Sequence, residues 1–205
     1  MSICKYVKFV AIVGMVFCGL SVVAHGGTMK VQTNRVAEVA MVKARNEGRY
    51  LSQTPRFTFA ETLEEQEEQL KTNLLMLRFA ASRLKLSTDP YRPAYHFVTP
   101  ESTLNDPTSI VFWQGRWHLF FIAMPPDEFP NPADIMKRWH RTSIGHAVSY
   151  DLVHWEDLPY AINPGIERAC YSGGLMVDGD RVIAYYPGMG VGQMVAISDD
   201  PLLLN

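Results

Sequence analysis

The alternation of apolar and polar positions divides the sequence into three textures. At the start, Lys5 and Lys8 precede an apolar run over residues 9–23, and Val22-Val23-Ala24 places modest side chains before a cut. The run is short for a membrane span of roughly 20 residues and contains Gly14 and Gly19, so residues 1–24 are expected to be an export signal. Cleavage would leave a periplasmic or extracellular protein with no stable membrane insertion. The second texture is helical. A short helix is expected over residues 33–48, with Asn34 as cap and Gly48 as stop. A longer one opens at Thr62, where Glu65 completes a T-x-x-E capping pattern, and ends at Thr88-Asp89-Pro90. Leu63, Leu70, Leu74, Leu77, Ala81 and Leu84 recur at spacings of three, four and seven, which predicts one apolar face packed on the neighbouring domain. Residues 25–90 therefore read as a helical N-terminal extension.

After Pro90 the period changes to that of short strands separated by Gly, Pro and Asp. Strands are predicted over residues 109–113, 116–122, 143–149, 175–177, 181–186 and 194–198. Gln114-Gly115 and Asp178-Gly179-Asp180 are hairpin turns. The stretch over residues 124–141 carries Pro125, Pro126, Pro130 and Pro132 with no period, which predicts a surface loop bordering a pocket. Aromatic-rich hairpins at regular intervals fit propeller blades, so the fold class is mainly β, preceded by a helical segment. Residues 91–205 are enough for about two blades at roughly 40–60 residues each. Two blades leave strand edges uncovered, which is the expectation for the front part of a longer enzyme.

Within this β-rich part, Asn105-Asp106-Pro107 stands just before the first hairpin. Pro107 stiffens the corner on which Asp106 sits. On chemistry alone, Asp106 has two readings: a cap for nearby backbone amides, or a positioned nucleophile or base.

Five ordered motifs bear on that choice. Arg92-Pro93-Ala94-Tyr95-His96-Phe97, Asn105-Asp106-Pro107 and Gly115-Arg116-Trp117-His118-Leu119-Phe120 come first; Gly145-His146-Ala147-Val148-Ser149-Tyr150-Asp151-Leu152-Val153-His154-Trp155 and Tyr171-Ser172-Gly173 follow. This series resembles glycoside hydrolase family 32, the invertases, levanases and inulinases that act on β-fructosides. The resemblance implies a five-bladed propeller and hydrolysis with retention through two carboxyl groups roughly 5–5.5 Å apart. It implies that Asp106 is the nucleophile, and that Asn105, Trp139, Tyr171 and Ser172 shape a pocket for a carbohydrate substrate. The family's acid, in a Glu-Cys motif, and its stabilising Asp, in an Arg-Asp-Pro motif, match nothing here. Glu156 and Asp157 read as solvated loop charges, and Asp151 as a tie for the strand connection. Departures from the pattern include Ile122 in place of Gln and Ile144 in place of Trp. They motivate an alternative, a non-catalytic carbohydrate-binding or vestigial propeller module.

Composition narrows the remaining options. A net charge of −2 without a basic run argues against nucleic acid as a partner. His96, His118, His146 and His154 fall inside the motifs with no clustered Cys, so structural histidines are expected, with no metal and no cofactor. Signal cleavage removes Cys4 and Cys18 and leaves Cys170 alone, which excludes a disulfide and predicts a small buried thiol. Pro187 to Gly192 does not fit a phosphate-binding loop, since the glycine spacing is wrong and no helix follows.

Overall fold

The computed structural model describes residues 52–93, 96–101, 103–128 and 141–205. The expected export signal, the helix expected over residues 33–48, and Trp139 lie outside the described residues. The rest is mainly β, in antiparallel sheets flanked by helices.

Two helices come first, α1 (Leu63–Thr72) and α2 (Leu74–Leu86), where the leucine spacing predicted one. The break is at Asn73. Its backbone leaves the helical region at ψ 127°, and its side chain accepts hydrogen bonds from Leu75 N at 3.0 Å and Met76 N at 3.3 Å. Asparagine is among the best N-caps, and here it starts a second helix inside an otherwise continuous pattern. Thr62 caps α1, accepting from Glu65 N and donating to the Glu65 carboxylate.

The packed face also differs from expectation. Leu75 and Phe79 are buried against the sheet, whereas Leu74 and Leu84 are three-quarters exposed. Phe79 wins because it fits edge-on to Tyr160 with ring centroids 5.7 Å apart. Arg78 and Arg83 then turn the same side of α2 toward the sheet, onto Asp127 and Asp157.

The first sheet has four strands in the order β1 (Leu104–Trp113), β2 (Arg116–Ala123), β3 (Ser143–Ser149) and β4 (Trp155–Ile162). The second has three, β5 (Gly174–Asp178), β6 (Arg181–Gly188) and β7 (Gly192–Ser198). The predicted turn joins β1 to β2 with φ of 47° at Gln114 and 80° at Gly115, the positive pair that a two-residue hairpin demands. Strand β4 went unpredicted, because Pro159 interrupts it and the charges of Glu156 and Asp157 suggested a loop. As an edge strand it tolerates the proline. Asp157 is not a solvated loop charge; it sits in β4 and takes a bidentate grip from Arg83.

The layers stack as helix, first sheet, second sheet. Leu75 and Phe79 meet Phe121, Ala123, Ala147 and Tyr160 on one side of the first sheet. On its other side Val111, Trp113, Phe120, Ile122 and Ile144 pack on Val182, Tyr186 and Met194 of the second. The outward face of the second sheet exposes Met176, Tyr185 and Ile197.

Candidate functional site

Asp106 is carried inside β1, which begins at Leu104 and not at Ser109 as predicted. The ladder to β2 shifts register twice, between Leu104 and Pro107 and again between Pro107 and Ser109. Each shift inserts an extra residue into β1, so Asn105, Asp106 and Thr108 fall out of regular pairing. Pro107 cannot donate to a ladder and suits such a bulged segment. The local sequence thus produces a rigid, irregular strand end with its carboxylate at the surface.

A separate segment meets it. Residues 168–172 are strapped down by backbone bonds: Cys170 N donates to Thr142 O at 2.9 Å, Tyr171 N to Pro187 O at 3.0 Å, and Arg168 N to Met189 O at 2.9 Å. Ser172 at the end of this strap donates from Oγ to Asp106 Oδ2 at 2.8 Å. Gly173 is what lets the strap lie so close. A Cβ there would stand 1.9 Å from Tyr185 O and 2.7 Å from Tyr186 Cα, so only glycine fits. Tyr171 is half-buried beside Ser172, and its hydroxyl reaches Met189 Sδ at 3.5 Å.

Of the sequence-predicted site residues, the structure brings Asp106 and Ser172 into direct contact. Asn105 adjoins the first and Tyr171 the second. Asp106 draws its hydrogen bond from a residue 66 positions away, unlike a turn cap, which bonds its own amides. The cavity beside these segments holds about 60 Å³ and is lined by apolar groups such as Ile144, Leu175 and Ala184, with Thr108 and Gly173 at its edge. That is room for one or two waters, too little for a sugar ring. Asp106 and Ser172 do not line it; both are exposed. Ile122 and Ile144, the two departures from the family pattern, are 1% and 3% exposed and belong to the inter-sheet core.

Sequence reasoning missed the carboxylate beneath the strap. Glu167 is buried and accepts from Tyr186 Oη at 2.9 Å and Cys170 Sγ at 3.4 Å on one oxygen, and from Gly165 N at 3.1 Å on the other. Burial, and then the Glu167 charge, push the Cys170 thiol well up; burial first and its two neighbours also raise Tyr186. The E-x-x-C spacing was the available signal, and a lone pair of that kind points to no particular chemistry.

Two motif histidines form a second buried polar pair. His118 Nδ1 and His146 Nε2 are 2.9 Å apart, and Phe120 stacks on His146 at 4.4 Å. Burial drives His118 down to about 4 and His146 well below its ordinary value, so both are neutral at pH 7 and one ring donates its N–H to the other. Asp151 ties the β3–β4 connection as expected, accepting from Val153 N, His154 N and Ser149 Oγ, with His154 Nδ1 at 2.6 Å. Among the described residues, no group of three or more His, Cys, Asp or Glu is arranged to hold a metal, and no helix is long and apolar enough to cross a membrane.

The family model for the glycosyl hydrolases family 32 N-terminal domain matches residues 96–201, just over half the chain. The chain belongs to glycosyl hydrolase family 32. It is 34% identical over 119 residues to a levanase of Bacillus subtilis, covering 57% of this chain and 16% of the levanase. A fructan 6-exohydrolase of Beta vulgaris is 34% identical over 93 residues, with 43% and 14% covered. A sucrose-6-phosphate hydrolase of Bacillus subtilis is 31% identical over 127 residues, with 57% and 25% covered. The chain therefore spans between 14% and 25% of the length of these curated relatives. Among solved structures, a family 32 β-fructofuranosidase of Bombyx mori is 29% identical over 69% of this chain and 29% of its own, with a TM-score of 0.47. A fructan 1-exohydrolase of Cichorium intybus is 31% identical over 56% and 22%, with a TM-score of 0.43. The family 32 relatives are glycosidases.

Proposed function

We propose that this chain contributes the nucleophile-bearing part of a β-fructosidase-type glycoside hydrolase that works with retention of configuration. The observation that carries the reading is the 2.8 Å hydrogen bond from Ser172 to Asp106, which joins two separate family motifs. In this role Asp106 attacks the anomeric carbon as a carboxylate, and the Ser172 hydroxyl fixes one of its oxygens so that the other is aimed. Asn105, Tyr171 and Trp139 complete the sugar pocket. The acid/base role is assigned to no residue here, since neither a Glu-Cys nor an Arg-Asp-Pro motif occurs in the sequence. The two antiparallel sheets are adjoining blades of a propeller. In support, the outward face of β5–β7 leaves Met176, Tyr185 and Ile197 exposed, as a blade that meets a neighbour would. Export follows from the leader expected over residues 1–24. The test is Asp106→Asn in the intact protein, with fructose release from sucrose, levan and inulin as readout. Activity should vanish while circular dichroism and the urea midpoint stay unchanged; undiminished release would end the proposal.

A second reading, a carbohydrate-binding module without catalysis, is favoured by Ile122 and Ile144. Where the family pattern has Gln and Trp, this chain commits both positions to its core. Calorimetric binding of fructans by both proteins, with no product from either, would establish it.

A further inference from the structure

Ser172 can hold Asp106 only while the strap that carries it is fixed, and both sheets take part in fixing it. Thr142, just before β3, grips Cys170 twice: its carbonyl accepts from Cys170 N at 2.9 Å, and its Oγ1 donates to Cys170 O at 2.6 Å. The end of β6 grips the same stretch through backbone bonds to Pro187 and Met189 and a bridge from Cys170 to Gly188. Backbone bonds of this kind set the path of the strap and are open to almost any sequence.

Glu167 adds the specific part. It is 2% exposed, and its stem lies across Gly188 of β6, where an added Cβ would stand 3.0 Å from Glu167 Cβ. Oε1 takes both the Cys170 thiol at 3.4 Å and the Tyr186 hydroxyl at 2.9 Å. Oε2 takes Gly165 N at 3.1 Å. A carboxylate buried this completely is costly unless its hydrogen bonds are kept, so the carboxylate holds its partners in one arrangement.

Tyr186 ties this arrangement to Ser172. Its hydroxyl is on Glu167, and its Cα lies 2.7 Å from the point that a Gly173 Cβ would occupy. One residue of β6 therefore borders the strap on both sides of Ser172, at Cys170 through Glu167 and at Gly173 directly. Loosening Glu167 shifts the Ser172 hydroxyl, and with it the 2.8 Å bond to Asp106.

We propose that Glu167 is a positioning residue for the Asp106 nucleophile, acting through the strap and the Ser172 hydroxyl. The inference rests on the role given to Asp106 above. A double-mutant cycle on fructose release by the intact protein tests it, with Glu167→Gln, Ser172→Ala and the two combined. Glutamine keeps the size of the side chain but turns an amide N–H toward one of the donors, which undoes the clamp. Glu167→Gln should lower kcat roughly 10- to 100-fold, as a displacement of about 1 Å does, with KM changed less than about twofold. In the Ser172→Ala background the same substitution should cost nothing further. Tyr186→Phe removes the hydroxyl from Oε1 and keeps the ring in the core; it should show the same split between kcat and KM, and it stands in where Glu167→Gln does not fold. Unchanged kcat in either variant overturns the proposal. So do losses that multiply in the combined variant, the mark of a side chain that only supports the fold. Asp106→Asn separates this failure from the other: an active Asp106→Asn sinks the nucleophile reading, whereas multiplied losses beside an inactive Asp106→Asn sink the role of Glu167 alone.

Discussion

Acid should weaken this fold in a window set by the buried histidine pair. In the unfolded chain His118 binds a proton as pH falls through its ordinary 6.5, whereas in the folded protein it refuses one until about 4. Between those values the unfolded state holds more protons, so stability falls as pH falls. The gap is about 2.5 pH units, and at about 1.4 kcal/mol per unit His118 alone accounts for roughly 3 kcal/mol. His146 acts in the same direction from the same upper limit, driven down by burial and then by His118. Asp151 is held well below the usual carboxylate range, chiefly by the His154 side chain, and its effect is confined to more acid solution. Urea unfolding followed by tryptophan fluorescence from pH 7.5 to pH 4 measures the slope. The double variant His118→Gln/His146→Gln lacks both titrating rings. It should be less stable at neutral pH yet lose much of the slope, while ordinary carboxylates affect both proteins alike and cancel. Equal slopes in the two proteins would refute the reasoning.

Other consequences can be checked more simply. Glu128→Ala leaves the donors of Ser52, Gln53 and Thr54 without their shared acceptor, and should cost about 3 kcal/mol in urea unfolding while freeing residues 52–60 to proteolysis. Gly173→Ala drives a methyl into the β6 backbone, so a loss of about 2–3 kcal/mol is expected, read as a melting temperature lower by roughly 5–10 °C. Cys170 is fully buried with its thiol held protonated, so it should react with a disulfide reagent only at the rate of unfolding; prompt labelling in the native protein would contradict the geometry.

Much of this organisation was legible because it is local. Gln114-Gly115 fixes a hairpin by backbone dihedral preference, and Asp151 ties a connection within three residues of itself. The predicted strands of β2 and β3 were recovered because each is a short apolar run, continuous where both faces are buried and bounded by turn or loop residues. What stayed hidden depends on distant partners. The leucine row of α2 has the spacing of a buried face, but Phe79 has Tyr160 to pack against and Arg83 has Asp157, so the helix is rotated away from its leucines. The interruption at Asn73 is a capping preference that a continuous apolar pattern outweighs on paper. Strand β4 looked like a loop until Arg83 supplied the partner for Asp157. At the site, the motifs pointed to Asp106 and Ser172 separately; that one hydroxyl reaches the other's carboxylate follows from a strap anchored on β6, which no spacing announces.

The same logic changes the standing of the N-terminal extension. Read as sequence, residues 25–90 looked like an addition to a β domain. Yet Gln66, on α1, is fully buried and donates to Ala60 O and to the Asp200 carboxylate near the other end of the chain. Asp200 also takes Asn205 Nδ2 and Leu204 N, and its carbonyl accepts from Trp113 Nε1 at 2.9 Å. Phe59 N donates to Asn205 Oδ1 at 2.9 Å, and Arg116 of β2 pairs with Glu67. Buried polar groups persist only where both members of each pair are present, because stripping one leaves the other desolvated and unpaired. An extension that merely rested on the sheets would have met them with apolar contacts alone. Here its removal would take Gln66 from Asp200, the donors of residues 52–54 from Glu128 and Arg83 from Asp157, so residues 52–86 meet the sheets through buried polar pairs as well as through apolar contacts.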